Sequence, residues 1–271
     1  VNHRGPEFET VVREIEAGLR PIMGTANNVL LFAASGTGMM EASLANVMAP
    51  GDKALFICNG QFADRFTAIA GGLGLQADKL DVPWGEAVDI AVLQERLAAT
   101  DYRAVIAIHN ESSIGAVADL SAIGAAVRET DALLIVDSVS GLGGIEMQQD
   151  RWGVDVLVSA SQKALMCPPG LGLPVFTTAP IRSNTVTVLQ LPEGREAGPI
   201  VRHLYEKHGT VIAGARNKLR GTVIRFGTMG AVEDADIVTD LQHLEVSLIK
   251  LGRDIERGAG AAAAKEALQA A

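Results

Sequence analysis

A chain of 271 residues, 48% of them hydrophobic, has material for one large α/β unit or for a medium unit and a small one. Its net charge of −9 excludes nucleic acid and anionic membrane surfaces as its main partners. Two cysteines, Cys58 and Cys167, rule out a disulfide framework or a cysteine-ligated metal site and fit a reducing, cytoplasmic setting, and no apolar run is long enough for a membrane span.

Apolar, β-branched runs alternate with helix-like stretches along the first two thirds of the chain. Val29–Ala34 reads as a strand, and Thr37–Met48 as a helix entered through Ser35, Gly36, Thr37 and Gly38. Free amides and the dipole at such a helix start suit a phosphate, although a plain tight turn has the same composition. The turn lacks the third glycine of a dinucleotide fingerprint and the lysine of a P-loop, so a smaller phosphate ester is the better ligand. Strand Ala54–Cys58 follows, then Asn59, Gly60, Gln61 and the helix Phe62–Leu73, where Phe62 belongs to the core or stacks on a flat ring. After a helix at Ile90–Ala98, strand Ala104–Ile108 ends in His109, Asn110, Glu111, Ser112 and Ser113, a cluster that suits a ligand or a self-satisfied turn equally.

A helix at Leu120–Thr130 precedes strand Leu133–Val136, which runs straight into Asp137; strand Val154–Val158 runs into Ser159, Ala160, Ser161, Gln162 and Lys163. Continuous apolar runs of this kind predict a mainly parallel sheet covered by helices on both faces, with ligands beyond the carboxyl ends of its strands. Lys163 follows Asp137 by 163 − 137 = 26 residues. A carboxylate can hold a pyridine nitrogen protonated, and a desolvated amine can join an aldehyde as an imine, so the two ends suit a pyridine cofactor. A structural cap for Asp137 and a solvated surface charge for Lys163 are the plainer alternatives.

Past Gly170 the texture changes. Thr185–Leu191 and Thr222–Gly227 read as strands, and Gly198–His208 and Asp234–Leu251 as helices, which together predict a small α+β domain. The organisation expected is a large domain over 1–175, a junction at 176–183, a small domain over 184–257 and a low-complexity tail or frayed helix at 258–271. Arg225 lies in an apolar strand and needs an anion or another acceptor there: a substrate carboxylate or a structural partner.

Seven segments, His3–Phe8, Ser35–Glu41, Asn59–Arg65, His109–Gly115, Leu134–Gly144, Ser159–Gly172 and Ile224–Gly230, occur in the order found in one family. Together they resemble the class V aminotransferases of the fold-type I pyridoxal-phosphate enzymes, and within them the alanine/serine–glyoxylate branch. The resemblance implies that Lys163 carries pyridoxal 5'-phosphate, that Asp137 pairs with its ring nitrogen and that Phe62 and Val139 cover the two ring faces. It implies that Ser112 bonds the ring hydroxyl, that Ser35, Gly36, Thr37 and Gln162 hold the phosphate and that Arg225 receives the substrate carboxylate. It further implies a homodimer with small amino and oxo acids as partners. Relatives carry a long stretch between the lysine region and the small domain, where here Leu173–Pro180 runs almost directly into Asn184–Val188. A true deletion and residues absent from this sequence both fit, and the apolar surface that a deletion would expose favours the second.

The reaction expected is transfer of the amino group of serine or alanine to glyoxylate or pyruvate, since no second cation marks a site for an acidic side chain. Ureidoglycine–glyoxylate and 2-aminoethylphosphonate transfer share the same motifs. Cysteine desulfuration lacks its loop cysteine. A Ser161/Lys163 hydrolase would leave Asp137 and the phosphate turn without a role, and an inactive scaffold of the same fold is the non-enzymatic alternative.

Overall fold

Five short runs pair side by side into a parallel sheet, and the order in which they pair decides where a ligand can sit. The computed structural model describes residues 5–32, 34–166, 185–192, 196–215, 217–228, 232–253 and 255–270. Helix α1 (Pro6–Met23) starts on a proline, carries Glu7 and Glu9 in its first turn and Arg20 in its last, and stops at Gly24 with φ of 62°. Helix α2 (Gly36–Val47) is capped by Ser35, whose hydroxyl accepts from Gly38 N at 3.1 Å. Then come β1 (Lys53–Cys58), α3 (Gln61–Gly72), β2 (Gln76–Asp81), α4 (Ile90–Ala99) and β3 (Ala104–Ile108). A two-residue pair, β4 (Asn110–Glu111) and β5 (Ala116–Val117), leads to α5 (Leu120–Val127), β6 (Leu133–Asp137), α6 (Gln149–Trp152) and β7 (Val156–Val158).

The sheet order is β2-β1-β3-β6-β7, parallel throughout. Alternate residues of each central strand enter opposite cores. Leu55, Ile57, Val105, Ala107, Leu134 and Val136 meet Leu93, Leu97, Leu120 and Ile123 of α4 and α5. Ala54, Phe56, Cys58, Ile106, Ile108 and Ile135 meet Met40, Leu44, Phe66 and Ala70 of α2 and α3. Both faces are therefore dry, which is why these runs read as continuously apolar. The chain leaves β1 toward one edge for β2 and returns on the other side for β3, so the order reverses between β1 and β3. Loops part at such a switch point and open a crevice at the carboxyl edge.

Beyond the junction, β8 (Val186–Gln190), α7 (Ala197–His208), β9 (Ala213–Gly214), β10 (Val223–Gly227) and α8 (Asp234–Lys250) form an antiparallel sheet of order β8-β10-β9 with two helices. Leu191, Ile200, Leu204, Ile224, Phe226 and Leu244 make its core. The proposed junction at 176–183 and Cys167 lie outside the described residues.

Two expectations change. Val29–Phe32 runs without a ladder partner among the described residues, with Leu30 73% and Phe32 66% exposed. An apolar run becomes a strand only where another edge meets its backbone, and none of the described strands does. The low-complexity end forms helix α9 (Ala259–Ala270) on α8. Its alanines favour helix, and the buried Glu245 of α8 caps its start, accepting from Gly258 N at 2.8 Å and Gly260 N at 2.6 Å. Edge strand β2 and helix α1 escaped the pattern: four of the six residues of Gln76–Asp81 are polar, and Pro6–Met23 keeps much of its apolar face outside.

Removing the Glu245 carboxylate leaves those amides without their partner. Glu245→Ala is expected to lower unfolding free energy by about 1–3 kcal/mol and to speed amide exchange at Gly258 and Gly260. Urea titration with site-resolved exchange checks this, and unaltered protection would show that α9 holds itself.

Candidate active site

Strand register assembles the site. Ile108 stands opposite Asp137, and Asp137 opposite Val158, in one row at the carboxyl edge. Whatever follows these three residues must therefore meet above the sheet. A cavity of about 170 Å³ opens there, lined by the α2 start (Ser35, Gly36, Thr37), Phe62 and Arg65 of α3, Asn110 and Ser112, Asp137, Val139 and Ser140, and Gln162 and Lys163. Met40 and Ile108 complete its wall. Of the ten residues singled out in the sequence, nine line this one cavity.

Arg225 is the exception. Its Nε and Nη2 donate to the Gly214 carbonyl at 3.1 and 3.0 Å, and its Nη1 donates to the Ser112 carbonyl at 3.0 Å. It stands behind Ser112 rather than in the cavity wall, yet its charge acts on Lys163. Arg65 is the notable addition. It lies one turn beyond Phe62, its guanidinium 5.4 Å from the Phe62 ring centroid, and its Nη1 donates to Thr37 Oγ1 at 3.3 Å. The i, i+3 spacing from Phe62 was the available signal. Ser140, three residues past Asp137 in a turn, offered no periodic signal.

Asp137 is 4% exposed. Its Oδ1 accepts from Val139 N at 2.8 Å, and none of the ion pairs among the described residues includes it. Burial pushes its pKa up to about 6, and the Glu111 charge adds to that, while the Val139 bond and Lys163 oppose it. Lys163 is half-buried; desolvation, then Arg225, draw its pKa down against the pull of Asp137. A buried carboxylate short of a cation and an amine eased toward neutrality face the same space.

That space suits pyridoxal phosphate. The uncompensated Asp137 fits a protonated ring nitrogen. A Cβ on Gly36 would stand 2.8 Å from Val139 Cγ2, so the start of α2 comes hard against the cavity wall with its amides at hand for a phosphate. Asn110 is a further acceptor. Its Nδ2 faces the Ser140 carbonyl at 3.0 Å and Thr185 Oγ1 at 2.6 Å, which fixes the amide orientation and leaves the buried Oδ1 without a hydrogen-bond partner among the described residues.

The family model described as Aminotransferase class-V matches residues 1–250. The soluble hydrogenase small subunit of Synechococcus sp. is 28% identical over an alignment of 358 positions, covering 100% of this chain and 93% of that protein. The L-aspartate–glyoxylate aminotransferase of Paracoccus denitrificans is 27% identical, with 98% and 90% covered. The crystal structure of ureidoglycine–glyoxylate aminotransferase from Bacillus subtilis superposes with a TM-score of 0.93 at 23% identity, with 99% and 92% covered. An alignment of 358 positions holding 271 residues leaves at least 358 − 271 = 87 positions opposite gaps in this chain.

Two groups pull acid stability in opposite directions. The Asp137 pKa of about 6 lies above the unfolded value of 3.8, so its carboxylate weakens the cofactor-free fold above about pH 6. Burial holds His109 at about 4 against 6.5, so the unfolded chain takes up the proton first and stability falls as pH drops from 6.5 toward 4. Asp137→Asn should therefore stabilise the cofactor-free protein by about 1–3 kcal/mol above neutrality. It should also lose stability more steeply than wild type on acidification, because only the His109 effect remains. Urea titrations at alkaline and acid pH check both signs; a less stable variant at alkaline pH would contradict the cost assigned to Asp137.

Proposed function

Since the chain belongs to the class-V aminotransferases, enzymes that work with pyridoxal 5'-phosphate, we propose that it moves the amino group of serine or alanine to glyoxylate or pyruvate. The observation that carries this reading is the pairing of buried, uncompensated Asp137 with half-buried Lys163 across one cavity.

In this reading Lys163 Nζ holds the cofactor aldehyde, Asp137 the ring nitrogen, and the amides of Gly36 and Thr37 with Ser35 and Gln162 the phosphate. Phe62 and Val139 bound the ring faces, and Ser112 meets the ring hydroxyl. When bound, the cofactor supplies an electron sink that makes the Cα–H bond of an amino acid acidic. Lys163 Nζ takes the Cα proton and holds it for return, which needs an amine near neutrality, and burial beside Arg225 moves it that way. Asp137 keeps a positive charge at the ring nitrogen and needs no proton of its own. Arg225 is the residue assigned in this reading to the substrate carboxylate; because it stands behind Ser112, it meets that carboxylate by giving up bonds to the Gly214 and Ser112 carbonyls.

Glyoxylate is favoured as acceptor by the names of the Paracoccus and Bacillus relatives. Small neutral donors are favoured because Arg65, the guanidinium in the cavity wall, is engaged with Phe62 and Thr37. Ureidoglycine or 2-aminoethylphosphonate is the alternative donor. A second copy of the chain is the partner that fits the exposed Phe8, Val11, Ile15 and Ile22 on α1 with Leu30, Leu31 and Phe32 nearby in sequence. Among the described residues no helix is long and apolar enough to cross a membrane, and a cytoplasmic enzyme is the reading kept.

Purified protein with pyridoxal phosphate should absorb in the visible, and L-serine or L-alanine should bleach that band. Lys163→Ala should lose the covalently held chromophore and turnover together; steady-state activity at the wild-type level would overturn its role. Arg225→Ala should raise KM for the amino donor roughly 10- to 100-fold, and an unchanged KM would remove Arg225 from the substrate site.

A further inference from the structure

Glu111 is completely buried beside the cavity but is not part of its lining. Both carboxylate oxygens meet donors only. Oε2 accepts from Phe62 N at 2.9 Å and Ala63 N at 3.3 Å. Oε1 accepts from Ser113 N at 3.0 Å and Ser113 Oγ at 2.6 Å, and Ser113 Oγ in turn accepts from Gln61 N at 3.1 Å. Burial raises the Glu111 pKa, and the hydrogen bonds from Ser113, Phe62 and Ala63 oppose that rise by favouring the carboxylate.

Gln61, Phe62 and Ala63 are the first residues of α3, whose N-cap Gly60 offers no side chain. Their amides are satisfied instead from β4 and the turn after it, about 50 residues away in sequence. A Cβ on Gly60 would stand 2.3 Å from Glu111 Cγ, so only glycine lets the carboxylate come that close. The same helix carries Phe62 and Arg65 into the cavity wall, and Ser112, between Glu111 and Ser113, faces the same space.

We infer that Glu111 is a positioning residue of this site: from behind the wall its carboxylate fixes α3, and with it Phe62, on one side of the cofactor space and Ser112 on another. The inference rests on the pyridoxal-phosphate reading above. The carboxylate also adds to the field at Asp137, which Lys163 opposes. His109, following β3, is neutral through burial, and Arg225 of β10 acts on Lys163. Loss of the Glu111 charge should let Asp137 ionise at lower pH.

The test compares wild type, Glu111→Ala and Glu111→Gln as full chains. In cofactor-free Glu111→Ala, amide exchange at Gln61, Phe62 and Ala63 should speed about tenfold or more while β6 amides keep their protection, and the Kd for pyridoxal phosphate should weaken about tenfold. In Glu111→Gln the side-chain carbonyl can still accept from Phe62 N and Ala63 N, so exchange there should stay within about threefold of wild type, while the amide nitrogen takes the place of Oε1 and leaves Ser113 N without its acceptor. Its acid limb of pyridoxal-phosphate binding should nevertheless move to lower pH, a shift that a purely structural residue would not cause. Glu111→Ala protein with wild-type exchange and Kd overturns the inference; should that variant not fold, an unshifted acid limb in Glu111→Gln overturns it. Wild-type protein that takes up no pyridoxal phosphate overturns the functional reading and this inference together, whereas normal uptake with unaffected variants sinks this inference alone.

Discussion

A carboxylate without a cation, buried at the end of a parallel strand, is the constraint around which the site is organised. Asp137 is costly to bury alone, and none of the ion pairs among the described residues neutralises it. In the proposed reading the positive charge that Asp137 faces arrives with the cofactor. Fold and function are thereby opposed in one residue: what makes the empty protein less stable is what makes the loaded site strong. The surrounding structure tolerates this because two dry cores, one on each face of the sheet, carry the stability elsewhere.

Register converts that local strain into a site. The row Ile108, Asp137, Val158 belongs to three strands that are distant in sequence, yet parallel pairing puts their ends side by side. Polar residues emerging just beyond them are thrown together without any sequence proximity. The start of α2 approaches from a different direction, brought close by Gly36 against Val139. Each wall is therefore supplied by a different segment, and the cavity exists only once the sheet has formed.

Most of this was legible beforehand because it depends on strand ends, and strand ends show in sequence as an apolar run stopping at a polar residue. Asp137 stood out that way, Lys163 by the uncharged stretch that follows its strand, and Ser112 through the family resemblance of the polar cluster after Ile108. Arg65 was missed although its i, i+3 spacing from Phe62 was there to be read, because such spacing is common on helices and its reach to Thr37 leaves no pattern in one sequence. Val29–Phe32 misled for the converse reason: composition records β preference but says nothing of whether a neighbouring edge is present. Arg225 was placed by its strand, but its bonds to the Gly214 and Ser112 carbonyls come from tertiary geometry. Glu111 stood in plain view within a polar cluster, and only the three-dimensional arrangement shows that its partners are the amides of a helix start.

The 2.3 Å clearance at Gly60 has a consequence for anyone diversifying this protein. Positions 60 and 111 behave as a single locus, since a methyl group at the first has no room while a glutamate occupies the second. A library that randomises position 60 alone, with glutamate kept at 111, will recover glycine there. Sampled jointly, a side chain at 111 that ends at Cβ removes the clashing Cγ and makes space for alanine at 60. It also gives up the carboxylate that holds the start of α3, so the aromatic wall of the cavity can be altered from behind without touching any residue that lines it.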